Sequence, residues 1–81
     1  MRVVFSDRFL RSYDAAPLRV QHDFDKQLTY LLANPRHPSL NAKKYDGARN
    51  LWQARVNRSW RFYFTLEDDM YRMVDIMPHP K

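Results

Sequence analysis

The hydrophobic period of this chain changes at Leu51, and that change limits what it can fold into. Upstream, Val20, Phe24, Leu28, Leu31 and Leu32 recur at spacings of four, four, three and one. Those spacings mark one face of a helix. Downstream, apolar and polar residues alternate, as in strands with one buried side. A chain that is helical in its first half and strand-like in its second calls for helices packed on a sheet.

Arg2 to Phe5 reads as a short first strand. Ser6 offers an N-cap, and Asp7 puts a negative charge in the first helical turn. Phe9, Leu10 and Tyr13 share one face of that helix. Pro17 suits the first turn of a second helix, which runs to about Ala33 and stops at Asn34-Pro35. Residues 34–50 form a basic, Pro-containing connection. Leu51–Val56, Trp60–Leu66 and Met70–Met77 then read as three strands. The expected class is α+β in the order βααβββ, a single domain over residues 1–81, with both helices on one face of a small twisted antiparallel sheet.

A three-residue loop Asn57-Arg58-Ser59 sets Val56 opposite Trp60, Ala54 opposite Phe62 and Trp52 opposite Phe64. Directly opposed residues share a face, so these form the side the helices cover. On the other side Arg55 meets Arg61 and Gln53 meets Tyr63. A three-residue loop Glu67-Asp68-Asp69 sets Leu66 opposite Met70. It also sets Phe62 opposite Val74, Arg61 opposite Asp75 and Tyr63 opposite Met73. Arg72 then falls on the helix side opposite Phe64, with its stem packed at the rim and its head in water.

Net charge is +5, and its distribution is uneven. Residues 34–66 hold seven Lys/Arg against one Asp, while residues 67–81 hold two against four. A basic central segment suits a polyanion or an acidic protein partner. No cysteine is present, which excludes disulfides and thiolate metal sites and fits the cytoplasm. The three histidines lack ligand spacing, so no metal and no cofactor is expected. No segment reads as a signal peptide or a membrane span.

Two arginines side by side repel unless an anion sits between them. Phosphate is the natural candidate, because the guanidinium fork bonds its oxygens bidentately. Lys43 and Lys44 add charge to the same concavity. Tyr63 offers a ring for stacking, and His79 offers an imidazole for acid or base chemistry. Cations, an aromatic and a histidine suit RNA cleavage, which needs a base, positive charge on the phosphorane and an acid. The same residues have plainer readings. Arg61 opposite Asp75 is an ordinary cross-strand ion pair, the lysines solubilise, and His79 frays with the chain end. His22 and His37 read as surface residues.

The segment "HPSLNAKKYDGARNLWQARVNRSWRFYF" resembles the RelE/ParE superfamily of type II toxins, on the branch with a His-Pro-Ser-Leu motif. His37-Pro38-Ser39-Leu40, Lys43-Lys44, Gly47, Leu51-Trp52, Arg55 and Trp60-Arg61-Phe62 carry the likeness. "FSDRFLRSYDAAP" resembles the family's opening. The resemblance implies the βααβββ fold and the toxin half of a toxin–antitoxin pair. It further implies a metal-independent endoribonuclease that enters the ribosome and cuts mRNA. By position, Arg61 would stabilise the phosphorane and His79 would act as acid or base. Arg55, Lys43, Lys44 and Arg58 would hold the RNA backbone. The partners implied are a cognate antitoxin, the ribosome and mRNA, with an acidic antitoxin segment over Arg55 and Arg61. The chain departs from the pattern after His79, where "MVDIMPHPK" lacks the aromatic of many nuclease members. Either Tyr63 or Tyr71 replaces it, or activity is weak or lost, or His79 alone supplies the acid and base chemistry. Two other readings stay open: a gyrase inhibitor of the ParE type, and a degenerate member that only binds.

Overall fold

A computed structural model describes residues 2–80. Its elements are β1 (Arg2–Phe5), α1 (Asp7–Ala15), α2 (Leu18–Ala33), a 3-10 turn (Pro38–Leu40), β2 (Lys43–Asp46), β3 (Leu51–Arg55), β4 (Trp60–Glu67) and β5 (Met70–Pro78). The strand order is β1-β5-β4-β3-β2. The fold is α+β, with both helices packed against a five-stranded sheet.

The sheet differs from the expected one in two ways. It is mixed, because β1 runs parallel to β5 while the other neighbours are antiparallel. It also gains β2 from the segment expected to be a connection. Lys43-Lys44-Tyr45-Asp46 carries no apolar alternation, since an edge strand need not bury a face. Charged edge residues of this kind also discourage pairing with other chains.

Local chemistry sets the helix boundaries. The Ser6 side chain accepts the amide of Phe9, closing the first turn of α1. The same hydroxyl donates to the Val74 carbonyl of β5, so the cap also docks the helix. Pro17 precedes α2, and Asn34 ends it in an extended conformation. Asn41, Asn50 and Asp68 take positive φ, a region that short polar side chains tolerate. The lone glycine, Gly47, does not take it.

The core is an aromatic column running from the helices into the sheet. Phe9 and Phe24 lie 5.1 Å apart, and Phe24 meets Phe62 edge-on at 5.1 Å. Phe62 continues to Phe64 at 5.7 Å, and Phe64 to Tyr71 at 5.5 Å. Val20, Phe24, Gln27 and Leu31 are the buried residues of α2. Leu10 and Leu32, expected on the covered faces, are exposed. A polar residue, Gln27, holds the inward position instead.

The β3–β4 register is the one expected, from Trp52 opposite Phe64 to Arg55 opposite Arg61. The β4–β5 register is not. The turn has two residues, Asp68 and Asp69, so Glu67 rather than Leu66 meets Met70. That one-residue slip carries Met73 and Tyr71 onto the helix side, where both are buried. A bulge at Val74 then restores the phase, so that Phe62 meets Ile76 and Tyr63 meets Asp75. Arg72 consequently lies opposite Thr65 on the uncovered side and pairs with Glu67 at 3.4 Å. The short turn plus the bulge removes the one charged residue that the expected register left against the helices.

Candidate nucleic-acid interface

The uncovered face of β3 and β4 carries the opposed pair Arg55 and Arg61. Arg55 is exposed, and among the described residues its side chain has no hydrogen bond or ion pair. Arg61 is half-buried and pinned, with one terminal nitrogen donating to the Asn57 carbonyl at 2.8 Å and the Trp60 carbonyl at 2.9 Å. Burial, and then the charge of Arg55, pull the Arg61 guanidinium below its usual range. A guanidinium still stays protonated in any protein. Burial and the neighbouring Arg55 both disfavour the Arg61 charge, and an anion between the two would favour it.

The Arg61–Asp75 ion pair does not form. Asp75 lies opposite Tyr63 and is buried. Its carboxylate accepts the Ser12 hydroxyl at 2.7 Å and the Ile76 amide at 2.8 Å, and it pairs with Arg8 at 3.2 Å. The acid that would have neutralised Arg61 instead fastens α1 to β5, and Arg61 faces Met77.

Two polar clamps fix the strand ends that carry the arginines. Gln27 donates to the Arg55 carbonyl at 2.9 Å and the Ser39 carbonyl at 3.0 Å, and accepts the Ser39 hydroxyl at 2.8 Å. This joins α2, the His-Pro-Ser-Leu segment and the end of β3. Asn57 donates to Asp23 of α2 at 2.9 Å, anchoring the β3–β4 loop. That bond first, and Arg19 beside it, hold the Asp23 carboxyl below the usual carboxylate range. Neither clamp was visible in the sequence. The only available signal was Gln27 at a helix position where an apolar residue was due.

The other expected residues divide between the two faces. Lys43 pairs with Gln53 and so shares the face of Arg55 and Arg61. Lys44 pairs with Trp52 on the helix side, with its ammonium 5.2 Å from the Trp52 ring. The two lysines therefore do not share one concavity, because adjacent strand residues point to opposite faces. Arg58 is exposed at the tip of the β3–β4 loop. His79 is exposed just beyond β5, and its amide donates to the Ser59 carbonyl at 2.7 Å. Arg55, Arg58, Arg61 and His79 thus gather at one end of the sheet.

Tyr63 is buried, and its hydroxyl accepts from Gln53 at 2.9 Å. It makes the floor of the face rather than an open platform. Tyr71 lies in the core on the other side and cannot stand in for a C-terminal aromatic. Tyr45 of β2 was not anticipated, and it is the exposed aromatic next to Tyr63. His37 is not a free loop residue. Its ring stacks on Tyr30 at 4.0 Å and its Nδ1 accepts the Ser39 amide. His22 is exposed on α2, as expected.

Two helices against a β1-β5-β4-β3-β2 sheet, with an uncovered basic face, is the RelE/ParE-like toxin fold. The sequence matches no protein-family model and no curated protein. Solved structures do match. The YoeB/ParE toxin from Agrobacterium tumefaciens superposes with a TM-score of 0.81 at 12% identity, over 99% of this chain and 100% of that one. YafQ from E. coli gives 0.79 at 18% identity, over 96% and 93%. The archaeal RelE–RelB complex from Pyrococcus horikoshii gives 0.77 at 17% identity, over 95% and 92%.

Proposed function

We propose that this chain is the toxin of a type II toxin–antitoxin pair and cleaves mRNA on the ribosome. The observation that carries this reading is the opposed Arg55–Arg61 pair, which has no carboxylate partner among the described residues, at the sheet end where His79 is tethered. A phosphodiester placed there would meet two forks on one side. Its 2′-hydroxyl would attack the adjacent phosphorus, and the bond to the 5′-oxygen of the next nucleotide would break. Arg61, fixed by two carbonyls, would stabilise the charge that develops on the phosphorane. Arg55, Lys43 and Arg58 would hold flanking phosphates. His79 would move the proton to or from a ribose oxygen.

The chain's partner in this reading is an antitoxin, as in the RelB–RelE antitoxin–toxin complex from Methanococcus jannaschii. An acidic antitoxin segment over Arg55 and Arg61 would occupy the phosphate position and silence the site. Toxin and antitoxin would then form a hetero-oligomer, and the target places the activity in the cytoplasm. One observation favours a second reading, a module that binds without cutting: Tyr71 is committed to the core, so it supplies no aromatic beside His79.

Primer extension on message in a cell-free translation reaction separates the two. Wild type and Arg61→Ala are run side by side, with and without translation. Cuts confined to translated message and absent from the variant support the nuclease. Intact message with normal translation sinks it and favours the binding module.

A further inference from the structure

A cleft of about 430 Å³ opens on the uncovered face beside Met77, the strand partner of Arg61. Tyr45 lines its β2 side and Met77 its β5 side, while Tyr63 and Thr65 of the central strand line it between them. Its volume falls within the ~300–1,000 Å³ of small-molecule clefts.

Tyr45 sits at an irregularity in the ladder. The β2–β3 ladder pairs Lys44 with Trp52 and then Asp46 with Leu51, which leaves Tyr45 as the extra residue. Such a bulge re-aims a side chain. Tyr45 is 59% exposed, yet its ring is braced edge-to-face on Tyr63 at 5.1 Å and 74°. Tyr63 is itself locked by Gln53. An exposed aromatic held by a fixed one is already ordered, so a flat ligand stacking on it costs little further side-chain freedom. Two residues back on the same strand, Lys43 offers a charge for a phosphate. Thr65, which also lines the cleft, has a buried hydroxyl with no hydrogen-bond partner among the described residues.

We infer that Tyr45 is the stacking platform for one unstacked base of single-stranded RNA. The base lies in this cleft while its flanking phosphates sit on Lys43 and Arg61. A χ1 rotation turns the Thr65 hydroxyl toward the base edge and gives it the partner it lacks. This inference rests on the RNA reading of the face, and it adds the nucleotide subsite that the arginines alone do not supply.

The test is fluorescence anisotropy with a labelled, fully 2′-O-methylated oligonucleotide, which cannot be cleaved through its 2′-oxygens. It is run at several salt concentrations. Tyr45→Phe should bind like wild type. Tyr45→Ala should bind about five- to a hundredfold more weakly, the range expected for one stacked base. Its salt slope should not change, because no phosphate contact is lost. An abasic position scanned along the oligonucleotide should, at one site, make wild type and Tyr45→Ala equal. Arg55→Ala should lower affinity and flatten the salt slope. Tyr45→Ala binding within about twofold of wild type, with Arg55→Ala impaired, overturns the platform and leaves the RNA face standing. Wild type that does not bind at any salt also overturns the platform, and the translation assay then decides the nuclease reading on its own.

Discussion

Gln27 lets the placement of Arg55 be tested without touching an arginine. It is the one buried polar residue of α2, and its amide makes three hydrogen bonds to Ser39 and Arg55. Each is worth about 0.5–1.5 kcal/mol net, so Gln27→Ala should cost about 2–4 kcal/mol. A domain of 81 residues has only about 4–12 kcal/mol in total. Urea unfolding followed by Trp52 and Trp60 fluorescence should therefore show a large fall in midpoint with an unchanged slope. Gln27→Glu is the sharper probe. Its carboxylate would face the Ser39 and Arg55 carbonyls with no proton to give, so its folded-state pKa must rise above ~4.3. A raised acid is fully tolerated below its unfolded pKa and destabilises increasingly as pH climbs through and above that value. The gap between Gln27→Glu and wild type should thus be small near pH 4 and wide at pH 7. A Gln27→Ala cost under about 1 kcal/mol would refute the reasoning. So would a Gln27→Glu deficit that is the same at both pH values.

Three further outcomes follow from the geometry. Lys43→Ala should weaken RNA binding and reduce the salt slope by about one, whereas Lys44→Ala should leave binding nearly intact and cost about 0.5–1 kcal/mol of stability through the lost Trp52 contact; anisotropy and urea titration read the two. Asp23, held below the usual carboxylate range by Asn57 and Arg19, contributes stability that is present above about pH 3.9 and lost as pH falls through its lower folded-state value. Asp23→Asn should flatten that acid limb in thermal melts between pH 2 and 6, a range set by the ordinary carboxylate pKa of ~3.9. Tyr71→Phe should leave cleavage in the translation assay unchanged, because the Tyr71 ring is in the core on the far side of the sheet from Arg61.

The parts of the fold that were legible in the sequence depend on burial of a whole face. The period of α2 and the β3–β4 register each follow from which side chains must avoid water. The parts that were not legible depend on single backbone choices. Nothing in Glu67-Asp68-Asp69-Met70 distinguishes a two-residue turn from a three-residue one until Asp68 is seen at φ 52. The one warning was Arg72, a charge left on the helix side by the longer turn. A conflict of that sort is evidence against a register, since a slip by one residue moves the whole set to the other face. With Arg72 on the uncovered face, Tyr71 and Met73 move to the helix side and Asp75 moves opposite Tyr63.

The candidate site shows the same division. Arg55 and Arg61 were placed correctly because the aromatic alternation around them fixes their face. Lys43 and Lys44 were grouped because they are adjacent in sequence, yet adjacency within a strand guarantees separation. Once Lys43-Lys44-Tyr45-Asp46 is recognised as an edge strand, Lys43 joins the arginines and Lys44 goes to Trp52. Tyr45 then follows as the exposed aromatic of the uncovered face, where the sequence had offered only Tyr63 and Tyr71. The basic face therefore has its opposed arginines at the β3–β4 end, and Lys43 with the open ring on the β2 edge. An extended anionic strand carrying flat groups, lying across the sheet from β2 toward His79, would use both.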